Sequence, residues 1–216
     1  MWFCDVDDAP SPDFLPIMHD LAARNNADFS VCAFVNVGPE GIVKSKYSGT
    51  VRVFDHEAAV SFLSRGGLPI AAWSKLFRRS FLMDNGILFH RSFAEDIDFT
   101  YRVVYASDRI VVTDMILYAY RLTPGSYTRS PGNRKLRALS EIESYRAADE
   151  ICTGHPDMDS ALRHNAIMRM RSSSHMELKD FLEYRHSPEA IEDNRKYFKG
   201  TLEGGLYYHF PRLYHF

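Results

Sequence analysis

Asp5, Asp7 and Asp8 close the run Trp2-Phe3-Cys4-Asp5-Val6-Asp7-Asp8 and are followed at once by Ala9-Pro10-Ser11-Pro12. Read as a strand, Trp2 to Cys4 delivers a cluster of carboxylates to a sheet edge. Open α/β sheets hold their ligands at that carboxyl edge. On extended backbone Asp5 and Asp7 face the same side, so they can share a divalent cation and its phosphate. Hard oxygen ligands suit Mg²⁺ or Mn²⁺, which one or two carboxylates hold together with substrate phosphates. The implied chemistry is work on a nucleoside diphosphate. The structural alternative is a polar turn, where aspartates are favoured without any ligand.

Glu95-Asp96 is the next acidic site. Asp96 is a candidate general base for an acceptor hydroxyl. Ser92-x-x-Glu95 also reads as a capping box, and acids at a helix N-terminus are favoured by its dipole. That dipole lowers the basicity of Asp96, so activation of the leaving group by a metal must supply most of the rate. In Trp73-Ser74-Lys75-Leu76-Phe77-Arg78-Arg79, Lys75 or the arginines Arg78 and Arg79, with Trp73, are candidate contacts to phosphate or acceptor. The alternative there is a solvated basic face. Tyr118-Ala119-Tyr120-Arg121 precedes Gly125-Ser126. Tyr118 and Tyr120 share one strand face and read as packing, while Arg121 is a candidate diphosphate contact or an exposed cation.

The elements that must position these residues follow from periodicity. Ser11-Pro12-Asp13 reads as a helix start, with Phe14, Ile17, Met18 and Leu21 at helical spacing and an end near Asn25-Asn26. Asp28 to Val35 reads as a buried strand, and Ile42 to Phe54 as a pair of short strands around Ser48-Gly49. Asp55 caps a helix with Ala59, Val60, Phe62 and Leu63 on its apolar face, stopped by Gly66-Gly67. Ala71 to Asn85 reads as a short helical segment. Ile97 to Ala106 is apolar on most sides, which predicts a buried helix. Arg109 to Thr113 and Met115 to Arg121 read as two strands broken at Asp114. From Arg134 onward the pattern is helical, with Leu136, Leu139 and Ile142 on one face and Leu162, Ile167 and Met170 on another. The boundary falls near Pro131-Gly132, giving an α/β part over 1–131 and a helical extension over 132–216.

Composition sets the outer limits. The chain has 216 residues, 45% of them hydrophobic and 25% charged, which is ordinary globular material with enough apolar residues for a core. A formal charge of −2 gives no footprint for nucleic acid. Three widely spaced cysteines suggest neither a disulfide framework nor a zinc knuckle and fit a reducing compartment. The nine histidines show no metal-ligand spacing. No apolar stretch reaches the ~18 residues of a membrane span. The aromatic and basic C-terminus, Tyr207 to Phe216, is expected to pack back on the helices rather than touch a membrane or a partner.

Taken in order, these segments resemble the family 2 glycosyltransferases of the GT-A fold. Phe3-Cys4-Asp5-Val6-Asp7-Asp8 with Pro12-Asp13-Phe14-Leu15 resembles that family's strand-end Asp-x-Asp-Asp and following helix. Ala72-Trp73-Ser74-Lys75-Leu76-Phe77-Arg78-Arg79 resembles its Asn-Lys-Leu-Tyr-Arg-Arg segment, with Ser74 in place of Asn. Phe93-Ala94-Glu95-Asp96-Ile97-Asp98-Phe99 resembles its Glu-Asp helix start, and Leu117-Tyr118-Ala119-Tyr120-Arg121 with Pro124-Gly125-Ser126 its Tyr-x-Tyr-Arg strand and Gly-Ser loop. The likeness runs from Trp2 to Ser130.

The resemblance implies a partial GT-A, Rossmann-like mixed sheet with flanking helices, followed by the helical segment. It implies transfer of a sugar, with inversion, from a nucleotide-sugar donor to a hydroxyl of a saccharide or lipid-linked acceptor. The setting would be bacterial surface polysaccharide synthesis, in the cytoplasm or at the inner face of the membrane. Asp7 would be the metal ligand, with Asp5 near the ribose or the water shell of Mg²⁺ or Mn²⁺. Asp96 would be the base, with Glu95 beside it as the second catalytic residue, and Arg121 with Ser126 would lie near the donor diphosphate. Family members carry βα units before the Asp-x-Asp that this sequence lacks. The expectation is therefore an isolated chain that pairs along an exposed sheet edge, with itself or a partner chain, or one that is inactive. The competing readings are a non-catalytic binding or assembly module on the same scaffold, and a phosphotransferase or phosphatase with a nucleophilic aspartate.

Overall fold

The computed structural model describes residues 1–38, 41–42, 49–90, 94–123, 130–153 and 158–215. The chain divides into two compact units, one of Met1–His90 with Phe99–Ser126, the other of Arg91–Asp98 with Tyr127–Phe216.

The first unit is built on a mixed sheet. Its centre is a parallel pair, β2 (Phe29–Gly38) and β6 (Arg109–Arg121), as in the β-crossover-β arrangement that apolar strands separated by helices predict. In chain order the remaining elements are β1 (Ala9–Pro10), α1 (Phe14–Arg24), β3 (Gly41–Ile42), β4 (Val51–Asp55), α2 (His56–Ser64), β5 (Lys75–Phe77), α3 (Arg79–Asp84) and α4 (Glu95–Ala106). β4 runs antiparallel to the first half of β6 and β1 to its second half. β5 and β3 run antiparallel to the two ends of β2. The expected α/β class, a mixed sheet flanked by helices, is what the chain forms.

The local reasons are legible. α1 buries Phe14 and Met18, each on the order of 2 kcal/mol of burial, and ends at Asn25. Asp55 caps α2 by accepting the Ala58 N–H at 3.0 Å, and Gly66 takes φ 70°, the left-handed conformation that ends the helix. Phe99, Tyr101, Val103 and Val104 are all buried, as the all-round apolar character of α4 predicts. Its first turn, Glu95 to Asp98, belongs to the second unit.

Three expectations are corrected. Trp2 to Cys4 is not a buried strand. Trp2 forms a single antiparallel bridge to Leu76, Met1 and Phe77 exchange backbone hydrogen bonds, and Cys4 is exposed. Ala71 to Asn85 is not one helical segment. A 3₁₀ turn over Ala72–Ser74 leads into β5, because pairing of Lys75, Leu76 and Phe77 with Val31, Ser30 and Phe29 outweighs their helical spacing. The break at Asp114 is a bulge within one continuous β6. There the register jumps from Val31↔Val112 to Ala33↔Ile116, and Asp114 N–H turns aside to the Thr50 carbonyl at 3.1 Å. The expected turn at Ser48 lies outside the described residues, and β3 and β4 flank it.

The second unit is helical, with α5 (Arg134–Cys152), α6 (Met158–Ser174), α7 (Leu178–Tyr184), α8 (Pro188–Asp193), a π-helical turn over Asn194–Phe198, α9 (Leu202–His209) and α10 (Pro211–Tyr214). Its core gathers Ile142, Met170, Phe181, Phe198, Tyr207 and Tyr214. Tyr207, Tyr208 and Tyr214 thus pack back on the helices, whereas Phe210 is exposed, and Leu136 is exposed and takes no part in the face assigned to it. No described helix is long and apolar enough to cross a membrane.

Candidate functional site at the carboxyl edge of the central strands

β2 and β6 are parallel, so both end at the same sheet edge, with Val37 opposite Arg121. The acidic segment is bound there. Asp5 to Asp8 forms a four-residue turn closed by Asp8 N–H to the Asp5 carbonyl at 3.3 Å. It is therefore not extended, and the alternation expected to set Asp5 and Asp7 on one side does not apply. A turn forms because the aspartates and the following Pro10 favour it, and because β6 supplies donors for it. Arg121 N–H donates to Asp8 Oδ1 at 2.7 Å, and the Tyr118 hydroxyl donates to Asp8 Oδ2 at 2.7 Å. Asp5 N–H reaches the same hydroxyl at 3.4 Å, and Thr123 Oγ1 donates to Asp7 Oδ2 at 3.3 Å.

Asp5 and Asp7 are exposed and Asp8 is half-buried. Val6 stands between them with its side chain fully in solvent. Carboxylate oxygens on one exposed turn are hard donors of the type that Mg²⁺ and Mn²⁺ take, so the donor set fits such an ion. Among the described residues no three His, Cys, Asp or Glu side chains converge as a preformed metal cage. A site of this kind needs substrate phosphate oxygens to complete it.

Beneath the turn lies an aromatic block. Trp73 stacks on Tyr118 with ring centroids 4.4 Å apart and on Tyr120 at 5.4 Å. Trp2 stacks on Phe14 at 4.4 Å, and its indole N–H donates to the Trp73 carbonyl at 2.9 Å. Burial, reinforced by the Asp8 carboxylate, pushes the Tyr118 phenol well above its ordinary pKa, so it remains a donor. The packing reading of Tyr118 and Tyr120 thus holds, and Tyr118 adds a polar task at its tip.

Two expected contacts are taken elsewhere. Lys75 is fully buried, and its ammonium donates to the carbonyls of Pro69, Ile70 and Ala71 at 2.6, 3.3 and 2.7 Å. An ammonium has three donors, so Lys75 braces this turn of chain and does not reach a phosphate or acceptor. Trp73 is 8% exposed and stacks on neighbouring rings. Arg121 lies at the end of β6, exposed, with its backbone N–H on Asp8. Ser126 and Ser92, hence the expected capping box, lie outside the described residues.

In the second unit, Glu95 and Asp96 open α4 and are half-buried, with the helix dipole favouring acids at that position. Asp98 in the same turn is 3% exposed, a buried acid that no spacing pattern singles out. The residues missed outright are Asp8 and Tyr118 as partners. They are 110 positions apart, and no spacing rule connects them.

No family model matches the chain, and no curated protein matches it. Solved structures do. Residues 1–349 of S. aureus TarS in complex with UDP-GlcNAc superpose with a TM-score of 0.50 at 17% identity, covering 90% of this chain and 65% of that one. The same TarS segment alone and with UDP gives TM-scores of 0.47 and 0.46, each at 17% identity, 90% of this chain and 64% of the other. The chain therefore spans less than two thirds of the TarS structure it is similar to. At this identity the likeness concerns the fold alone.

Proposed function

We propose that this chain carries the metal-side portion of an inverting glycosyltransferase of the family 2 type, which transfers a sugar from a nucleotide-sugar to an acceptor hydroxyl. The observation that supports this reading most is the acidic turn fastened to the carboxyl end of β6, in a sheet of glycosyltransferase-like fold. TarS crystallised with UDP-GlcNAc supplies the donor class to test.

In this reading Asp7, assisted by Asp5, holds Mg²⁺ or Mn²⁺, which when bound supplies positive charge for the departing diphosphate. Arg121 and Ser126 contact that diphosphate by charge-assisted hydrogen bonds. Asp96 accepts the proton of the acceptor hydroxyl as its oxygen attacks the anomeric carbon. One in-line displacement inverts that carbon and needs no nucleophile from the protein. The Tyr118–Asp8 pair keeps the acidic turn in place throughout. Saccharide and lipid-linked acceptors remain the proposed acceptor class, with the chain placed in the cytoplasm or at the inner face of the membrane.

The test is saturable binding of UDP-GlcNAc to the purified chain, measured with and without Mn²⁺, followed by transfer or hydrolysis assays. Asp7→Asn is expected to abolish the metal-dependent part of binding. Asp96→Asn is expected to keep donor binding and lose transfer. Activity retained in both variants would overturn these residue roles.

A further inference from the structure

We propose that Tyr118 and Asp8 are positioning residues for the cation, acting through the turn that carries Asp5 and Asp7; the inference rests on the metal reading of that turn. Both oxygens of Asp8 are engaged within the protein, Oδ1 by Arg121 N–H and Oδ2 by the Tyr118 hydroxyl, each at 2.7 Å. These bonds assign Asp8 to the frame of the turn. The Tyr118 oxygen also accepts Asp5 N–H at 3.4 Å, so one hydroxyl touches both ends of the four-residue turn. The turn's own closing bond, Asp8 N–H to the Asp5 carbonyl, completes the ring.

That hydroxyl cannot wander. Tyr118 is 1% exposed, stacked on Trp73 at 4.4 Å and flanked edge-on by Trp2 at 6.4 Å and Phe14 at 6.3 Å. The core is thus connected rigidly to an exposed, strongly anionic turn that would otherwise sample many conformers. Outer partners of this kind orient ligand carboxylates, and their loss weakens metal binding without removing a ligand. Tyr118→Phe deletes only the hydroxyl and keeps the stacked ring.

The experiment is Mn²⁺ binding to the whole chain, followed by electron paramagnetic resonance in the presence of UDP, together with amide hydrogen exchange of residues 5–8. The wild type is expected to bind Mn²⁺, and Asp7→Asn to lose it. Tyr118→Phe should weaken it by about tenfold or more and speed exchange across the turn, with far-UV dichroism unchanged. Asp8→Asn, which retains an oxygen for Arg121 N–H but loses the carboxylate acceptor of the Tyr118 hydroxyl, should weaken it in the same direction. Wild-type affinity and exchange in Tyr118→Phe would overturn the positioning role while leaving the metal site standing. Absence of Mn²⁺ binding by the wild type would overturn the metal site, and this inference with it.

Discussion

Lys75 Nζ donates to the carbonyl of Ala71 at 2.7 Å, and the two residues bracket the 3₁₀ turn that carries Trp73. The same ammonium also bonds the Pro69 and Ile70 carbonyls, and Ile70 O additionally accepts the Thr100 hydroxyl of α4 at 2.5 Å. A buried cation thus ties the stretch before β5 into a fixed shape. Trp73 leaves that stretch to stack beneath the acidic turn.

Lys75→Met removes the charge at nearly constant volume and strands these carbonyls in the interior. Hydrogen bonds to charged groups are worth roughly 1.5–3 kcal/mol, so the expected loss is about 3 kcal/mol of unfolding free energy in urea. Unchanged stability combined with weaker nucleotide binding would restore Lys75 to the role of a ligand contact.

The aspartates of the turn should separate by stability. Asp7 is exposed, and Asp7→Asn is expected to change stability by less than about 0.5 kcal/mol. Asp8→Ala leaves the Tyr118 hydroxyl and Arg121 N–H without their acceptor and should cost about 2 kcal/mol. Equal effects in the same denaturant titration would contradict the division of labour between frame and ligand.

Alkaline pH probes the buried phenols. Burial pushes Tyr214 up to about 12 and raises Tyr118, Tyr145 and Tyr207 as well, against an unfolded value of about 10. The folded state holds these protons after the unfolded state has released them. Their contribution is therefore complete below pH ~10 and is lost as pH rises through the folded values. Unfolding midpoints should be flat from neutrality to pH ~10 and fall above it. Ultraviolet titration at constant temperature should show these tyrosinates forming together with unfolding.

How much of this was legible depends on whether the deciding contacts are local. The Asp55 cap, the Asn25 end of α1, the buried character of Phe99 to Tyr105 and the β2 run from Phe29 follow from neighbours within a few residues, and the sequence reading finds them. Lys75-Leu76-Phe77 defeats it because a lysine amid helical spacing signals a surface, whereas pairing with Phe29 to Val31 makes it an interior strand. The acidic turn lies at a carboxyl sheet edge, but not at the end of the Trp2 to Cys4 strand that its sequence suggests, and its conformation is not legible there. Tyr118 and Arg121 impose that conformation from the far end of the unit's sequence. Arg169 carried no signal at all, since its partners Asp149 and Asp193 lie on other helices.

Arg169 supplies the sharpest test of the helical unit. Its guanidinium is 3% exposed, bidentate to Asp193 at 2.9 and 2.8 Å and bonded to Asp149 at 2.6 Å, so α6 is joined to α8 and α5 through one charge. Asn165 supports Asp149 at 2.8 Å, yet burial still raises the Asp149 carboxyl above its ordinary pKa, a sign that desolvation weighs heavily here. Arg169→Met would leave two acids without their cation and should cost about 3–5 kcal/mol, the loss typical of breaking a buried pair. Replacing all three together, Arg169→Met with Asp149→Leu and Asp193→Leu, removes the desolvation cost along with the attraction. That variant should recover most of the loss, because apolar substitutes for a buried ionic group are often neutral or stabilising. Thermal unfolding of the two variants decides the matter. If the triple variant is as unstable as Arg169→Met, the network contributes more than charge compensation, and the directional hydrogen bonds of Arg169 themselves set the packing of α5, α6 and α8.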